Sequence, residues 1–86
     1  MSKEIFVIVS ENAEFPGFTF EGTESSLEGA RDYALTIAGT FASDYEKVEN
    51  PGRVRTSLGY YNTIEAIGNK DGDAYWRVCI LRTLVS

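Results

Sequence analysis

No histidine occurs anywhere in this 86-residue chain, and cysteine is limited to Cys79. Without imidazole, neither a Ser-His-Asp triad, nor a Cys-His pair, nor a histidine-ligated zinc site can be assembled. One cysteine cannot form an intramolecular disulfide or a multi-cysteine metal site, and it fits a reducing compartment. Cys79 stands among Val78, Ile80 and Leu81, so it reads as a small core or interface hydrophobe rather than a reactive thiolate. The Gly-x-x-x-x-Gly-Lys-Ser/Thr and Gly-x-Gly-x-x-Gly loops are missing as well, which leaves the usual backbone cradles for nucleotides without support. Asp71-Gly72-Asp73 has the opening of a calcium loop but not its spaced third acid or closing glutamate. For acid-base chemistry by paired carboxylates, Glu65 with Asp71 or Asp73 is the one candidate in the second half, and exposed acids beside a turn are ordinary. The expectation is therefore no catalytic group, no metal, no cofactor and no enzymatic activity.

Long hydrophobic runs are also lacking. The run Ile5 to Val9 is far shorter than the roughly 20 apolar residues of a membrane span, and no secretory cleavage pattern follows it. None of Asn12, Asn50, Asn62 and Asn69 begins a glycosylation sequon. A cytoplasmic protein without membrane contact is expected.

The chain is, by contrast, well supplied with apolar and aromatic residues: 43% are hydrophobic, with five Phe and five Tyr. That is enough to drive collapse into one domain over residues 1–86, although a domain of this size buries only about 60–65% of its unfolded surface. The net charge of −5 is unevenly spread. Residues 1–52 hold Glu4, Glu11, Glu14, Glu21, Glu24, Glu28, Asp32, Asp44, Glu46 and Glu49 against Lys3, Arg31 and Lys47. Residues 53–86 hold Arg53, Arg55, Lys70, Arg77 and Arg82 against Glu65, Asp71 and Asp73. An acidic first half repels nucleic acid phosphates and attracts basic surfaces; solubility alone would also explain the acids.

Pattern along the chain predicts an α+β fold. Residues 4–10 alternate as a strand, with Ile5, Val7 and Val9 on one face and Phe6 and Ile8 on the other, the mark of a central strand or one covered on both sides. After a turn at Pro16-Gly17, Phe18 to Glu21 returns as a second strand with Phe18 and Phe20 facing the core. Ser25-Ser26-Leu27-Glu28 fits a capping box with Ser25 as the cap. The helix it opens carries Leu27, Ala30, Ala34, Ile37, Ala38 and Phe41 on one stripe, flanked by Tyr33, and ends between Gly39 and Ala42. Following a turn at Asn50-Pro51-Gly52, residues 53–61 alternate with Val54 and Tyr60 on one face and Arg53, Arg55 and Tyr61 on the other. Ile64, Ala66 and Ile67 continue that strand or form another. Residues 68–73 read as a hairpin turn, and Ala74 to Val85 as the last strand, sending Trp76, Val78, Ile80 and Leu84 one way and Tyr75, Arg77, Cys79 and Leu81 the other. The order is ββαββ(β), one helix on an antiparallel sheet of four or five strands.

One helix covers one face of such a sheet. Phe6, Ile8, Tyr61, Tyr75, Arg77 and Leu81 are therefore expected on a second face that something else covers, and self-association into a homodimer is the simplest cover. The arginines and tyrosines of the last strands (Arg53, Arg55, Arg77, Arg82, Tyr60, Tyr61, Tyr75) also interleave as in single-strand binders, but the total charge argues against direct nucleic acid binding and favours cross-strand Arg-Tyr packing.

The capped helix with Ser26-Leu27, Ala30, Ala34 and Ala38, together with Asp71-Gly72 through Trp76 and Cys79 in the final hairpin, resembles small phage-encoded inhibitors, in particular type I anti-CRISPR proteins. The likeness spans about half of the chain. It implies a stoichiometric inhibitor in the host cytoplasm that binds a CRISPR surveillance complex and, as a DNA mimic, blocks its access to target DNA. The partner-facing residues would then be Glu11, Glu14, Glu21, Glu24, Glu28, Asp32, Asp44, Glu46 and Glu49, with Phe15 and Tyr45 as anchors. A self-associating accessory module remains the alternative.

Overall fold

The computed structural model describes residues 3–14, 17–56, 59–70 and 74–85. Strand β1 (Lys3–Asn12) is followed by β2 (Thr19–Glu24), helix α1 (Leu27–Ala38), a short β3 (Glu46–Lys47), β4 (Arg53–Thr56), β5 (Gly59–Gly68) and β6 (Trp76–Val85). The strands pair antiparallel in the order β2-β1-β6-β5-β3, with β4 paired to β5 off this path. The fold is thus α+β with one helix and a six-stranded antiparallel sheet. Six strands exceed the four or five expected: β3 lies in what read as loop, and the predicted strand over 53–61 is divided between β4 and β5.

That division reverses the expected faces. Continuous alternation would put Val54 with Tyr60, but β4 and β5 form a hairpin in which Val54 lies opposite Tyr61 and Arg55 opposite Tyr60. Directly opposed residues of an antiparallel pair share a face. Val54 therefore joins Tyr61 in the interior, fully buried, while Tyr60 is exposed. Arg53 stacks diagonally over Tyr60 at 5.9 Å, the Arg-Tyr packing that the sequence suggested. Of the hairpin turn expected at 68–73, residues 71–73, with the expected left-handed glycine, lie outside the described residues, while the Asn69 amide donates to the Trp76 carbonyl at 3.2 Å.

The helix forms where the stripe predicts it. Ala30, Ala34 and Ala38 are buried, and Leu27, Tyr33, Ile37 and Phe41 pack beside them over Phe6, Ile8, Trp76, Val78 and Ile80. Small side chains on the helix let its backbone approach the sheet, so the sheet supplies the large residues. The cap is displaced by one residue. Ser26, not Ser25, has extended backbone geometry, and its hydroxyl accepts from the Gly29 amide at 3.0 Å. Glu28 thus occupies the second helical position and cannot close the expected capping box. At the other end Gly39 keeps right-handed geometry. Turn bonds from Thr40, Phe41 and Ala42 back to Ile37 and Ala38 carry the chain onward to residue 42. Helix and edge strand meet where Tyr33 lies on Gly22: a Cβ there would stand 2.8 Å from the Tyr33 hydroxyl oxygen. That hydroxyl donates to the Glu21 carbonyl at 2.8 Å.

The opposite face is closed by the chain itself. Val9, Ala66, Cys79 and Leu81 are buried there beneath Val54, with Val7, Phe18, Val48 and Tyr61 around them. Burial pushes the Cys79 thiol up to about 11, which keeps it neutral at pH 7 and fits its reading as a core hydrophobe. Two irregularities sort residues between the faces. A bulge on β2 between the partners of Ile8 and Val9 makes Glu21 the extra residue, so Phe20 is 64% exposed where simple alternation put it in the core. Glu21 instead turns partly inward and accepts from the Ser10 hydroxyl at 3.1 Å. A second bulge, at Ile64 in β5, sends Ile64 and Ile67 to the helix side and Ala66 to the other. Among the described residues no helix is long and apolar enough to cross a membrane.

Candidate protein interface

Sheet register decides which of the expected contact residues share a surface. In the β1–β6 pair Phe6 lies opposite Arg82 and Ile8 opposite Ile80, whereas Val7 lies opposite Leu81 and Glu11 opposite Arg77. Phe6 and Ile8 consequently sit under the helix, at 7% and 0% exposure, while Leu81 is buried at 2% on the other side. The expected self-association set is thus split between two faces. Its three aliphatic and phenyl members are covered within one chain. Tyr61 and Arg77 are half-buried and Tyr75 is exposed.

The acids are similarly dispersed. Glu11 is held on the sheet face away from the helix. Arg77 meets it at 3.0 Å, and the Tyr75 hydroxyl donates to the same carboxylate oxygen. The Arg77 guanidinium in turn lies over the Phe18 ring, 5.1 Å from its centre. Burial, and then the hydrogen bond to the Glu11 carboxylate, raise the Tyr75 phenol above its ordinary value. Asp44 pairs with Lys70 at 3.2 Å. Tyr45 is exposed beside it, with its amide donating to the Asp44 carboxylate. Glu46 on β3 and the nearby exposed Glu49 belong to the far edge of the sheet. Four strand spacings separate β3 from β2, roughly 19 Å, so these acids and those of β2 form two groups. Phe15 lies outside the described residues.

What remains together is a narrower cluster. β2 ends at Glu24, and two residues later Ser26 starts α1. The Glu24 carboxylate therefore lies over the first turn, 3.3 Å from where a Gly29 Cβ would be. Glu28 follows in that turn and Asp32 one turn later, both exposed. The positive end of the helix dipole favours carboxylates at such positions. Among the described residues none of the three has an ion-pair partner.

The single basic residue of the helix is committed elsewhere. Arg31 reaches 34 residues along the chain to Glu65 on β5 with two bonds, 2.7 Å from Nε and 2.5 Å from a terminal nitrogen. This hydrogen bonding holds the Glu65 carboxyl below the ordinary carboxylate value and raises the Arg31 guanidinium above its own. The pair also rims a small apolar hollow of about 220 Å³ between α1 and the sheet, with Leu35 and Tyr45 at its edges. Glu24, Glu28 and Asp32 thus form a local negative group. Among the described residues Lys3, Lys47, Arg53 and Arg55 have no ion pair; Lys47 lies on the helix side near Glu65, and Arg53 and Arg55 sit on the β4–β5 hairpin.

None of these pairings had a local signal. Arg31 with Glu65 and Glu11 with Arg77 depend on strand register and on where the helix crosses the sheet, which spacing along the chain does not encode. Comparison of the chain with protein-family models, with curated proteins and with solved structures finds no match.

Proposed function

We propose that this is a non-enzymatic binding protein that engages a basic protein surface through the acidic side of α1. The observation that carries the reading is the concentration of half-buried Glu24 with exposed Glu28 and Asp32 on one flank of α1, while Arg31 is drawn off to Glu65. Charges so placed, without a partner of their own, speed encounter with a positive surface and fix its register. The resemblance to type I anti-CRISPR proteins supplies a concrete partner. The DNA-binding face of a surveillance complex is basic, and a carboxylate row on a helix about 18 Å long offers it negative charge in place of phosphates. Inhibition would then be stoichiometric, by occlusion of target DNA.

The test is capture of purified type I surveillance complexes by the immobilised protein at low and at physiological salt. Retention at low salt that weakens as salt rises supports the reading. Failure to retain any complex at low salt removes the CRISPR partner.

A further inference from the structure

An open pocket of about 490 Å³ lies at the far end of the helix, apart from the acidic flank. One wall is the end of β1, tied to the other strand by the Ala13 amide donating to the Tyr75 carbonyl at 3.0 Å. The facing wall is the turn after α1, residues 40–42, fixed by its bonds back to Ile37 and Ala38. Between them Phe41 stacks on Trp76, ring centres 5.5 Å apart and planes within 13°. Trp76 is 3% exposed, and its indole N–H, shut off from solvent, has no acceptor among the described residues. Glu14 is the charged side chain of the lining, which contains no basic residue. The loop bearing it is ordered by the Glu14 amide donating to Asn12 Oδ1 at 2.9 Å. A volume of this size falls within the range of small-ligand sites.

Resting on the reading of a basic protein partner, we infer that this pocket seats one arginine side chain of that partner. The guanidinium stacks on Phe41 and pairs with Glu14. Arginine suits the site better than lysine because its planar fork pairs with a carboxylate in two bonds and stacks on an aromatic face, whereas an ammonium is a hydrated point charge.

Trp76 is the sole tryptophan, so its emission and its indole N–H resonance report on the pocket alone. The full chain is titrated with acetyl-Gly-Arg-Gly-amide and with the same peptide carrying citrulline, the neutral isostere, or lysine. The arginine peptide is expected to shift both signals saturably and to bind about tenfold tighter than the citrulline peptide. The lysine peptide is expected to fall between them. Glu14→Gln, an exposed change that leaves the core intact, should erase most of that tenfold preference, and Glu49→Gln, near the far edge of the sheet, should leave it unchanged within about twofold. No saturable shift, an equal response to citrulline, or indifference to Glu14→Gln would overturn the inference. The titration uses no protein partner. Its failure leaves the acidic-flank reading untouched, while a positive titration beside failed capture of surveillance complexes removes the CRISPR partner and keeps the pocket.

Discussion

The two faces of the sheet are closed by different means, and the difference assigns their roles. On one face a single helix lays three buried alanines over Phe6, Ile8, Trp76, Val78 and Ile80. On the other, side chains from four separate segments, Phe18, Val48, Val54 and Tyr61, gather over Val9, Cys79 and Leu81. Charge follows the same division. The far face neutralises its acid internally, with Glu11 held by Arg77 and Tyr75, whereas among the described residues Glu24, Glu28 and Asp32 on the helix flank form no ion pair. The far face is closed by the chain's own side chains and its acid is paired, while its hairpin carries the arginines Arg53 and Arg55. The helix flank has field to spare.

The most forceful way to break this comparison is to hollow each face in turn. Ile8→Ala beneath the helix and Leu81→Ala on the far face should each cost about 2–5 kcal/mol in chemical denaturation, since both sites are closed. A small loss at Leu81 alone would mean that the far face is open and available for self-association. Val54→Ala removes the lid rather than the floor. It should cost about 1–3 kcal/mol, by the transfer value of a buried valine side chain and the cavity it leaves. Dimerisation of that variant but not of the wild type, seen by light scattering at high concentration, would show that cover by the chain's own hairpin blocks self-association through this face.

Smaller effects sharpen the helix side. Ser26→Ala should cost about 1 kcal/mol through loss of the cap, and Ser25→Ala no more than about 0.5 kcal/mol. Equal losses would restore the cap to Ser25. The Arg31–Glu65 pair is open to solvent at its guanidinium, so it adds only a small, salt-screened part of the stability. Its folded-state carboxyl lies below the ordinary value. The stability it adds is therefore present in full above pH 4.5 and lost as pH falls through the lowered folded value. Comparing denaturation of the wild type with Glu65→Gln across pH 3 to 6 should reveal a gap that closes on the acid side. A gap independent of pH would assign the loss to packing.

The sequence made legible whatever repeats locally. The alanine stripe carries the 3.6-residue period, and the alternation of Trp76, Val78 and Ile80 against Cys79 and Leu81 carries the period of two, so the helix and β6 emerge with their correct faces. The cap slipped by one residue because two serines compete and Glu28 stands at the box spacing from the wrong one. The hairpin dividing 53–61 was hidden because alternation continues through it, and reversal of the chain placed Val54 opposite Tyr61 rather than beside Tyr60. Phe20 was misplaced because a one-residue bulge is silent in composition. At the candidate interface, the excess of acid in the first half was readable, but not its sorting. Glu11 and Asp44 are taken up by distant cations, Glu46 and Glu49 lie across the sheet, and the surviving trio is defined by a register that only the folded chain sets.

The most direct trial of the acidic flank is the affinity for a purified type I surveillance complex, measured at low salt for three proteins: wild type, a Glu28→Lys/Asp32→Lys double variant, and an Arg53→Glu/Arg55→Glu double variant on the hairpin. Binding should fall by about tenfold or more with the helix reversal, a loss of about 1.4 kcal/mol, and hold or strengthen with the hairpin reversal. Equal affinity of the helix variant and the wild type, with both folded, would contradict the assignment of the interface to α1.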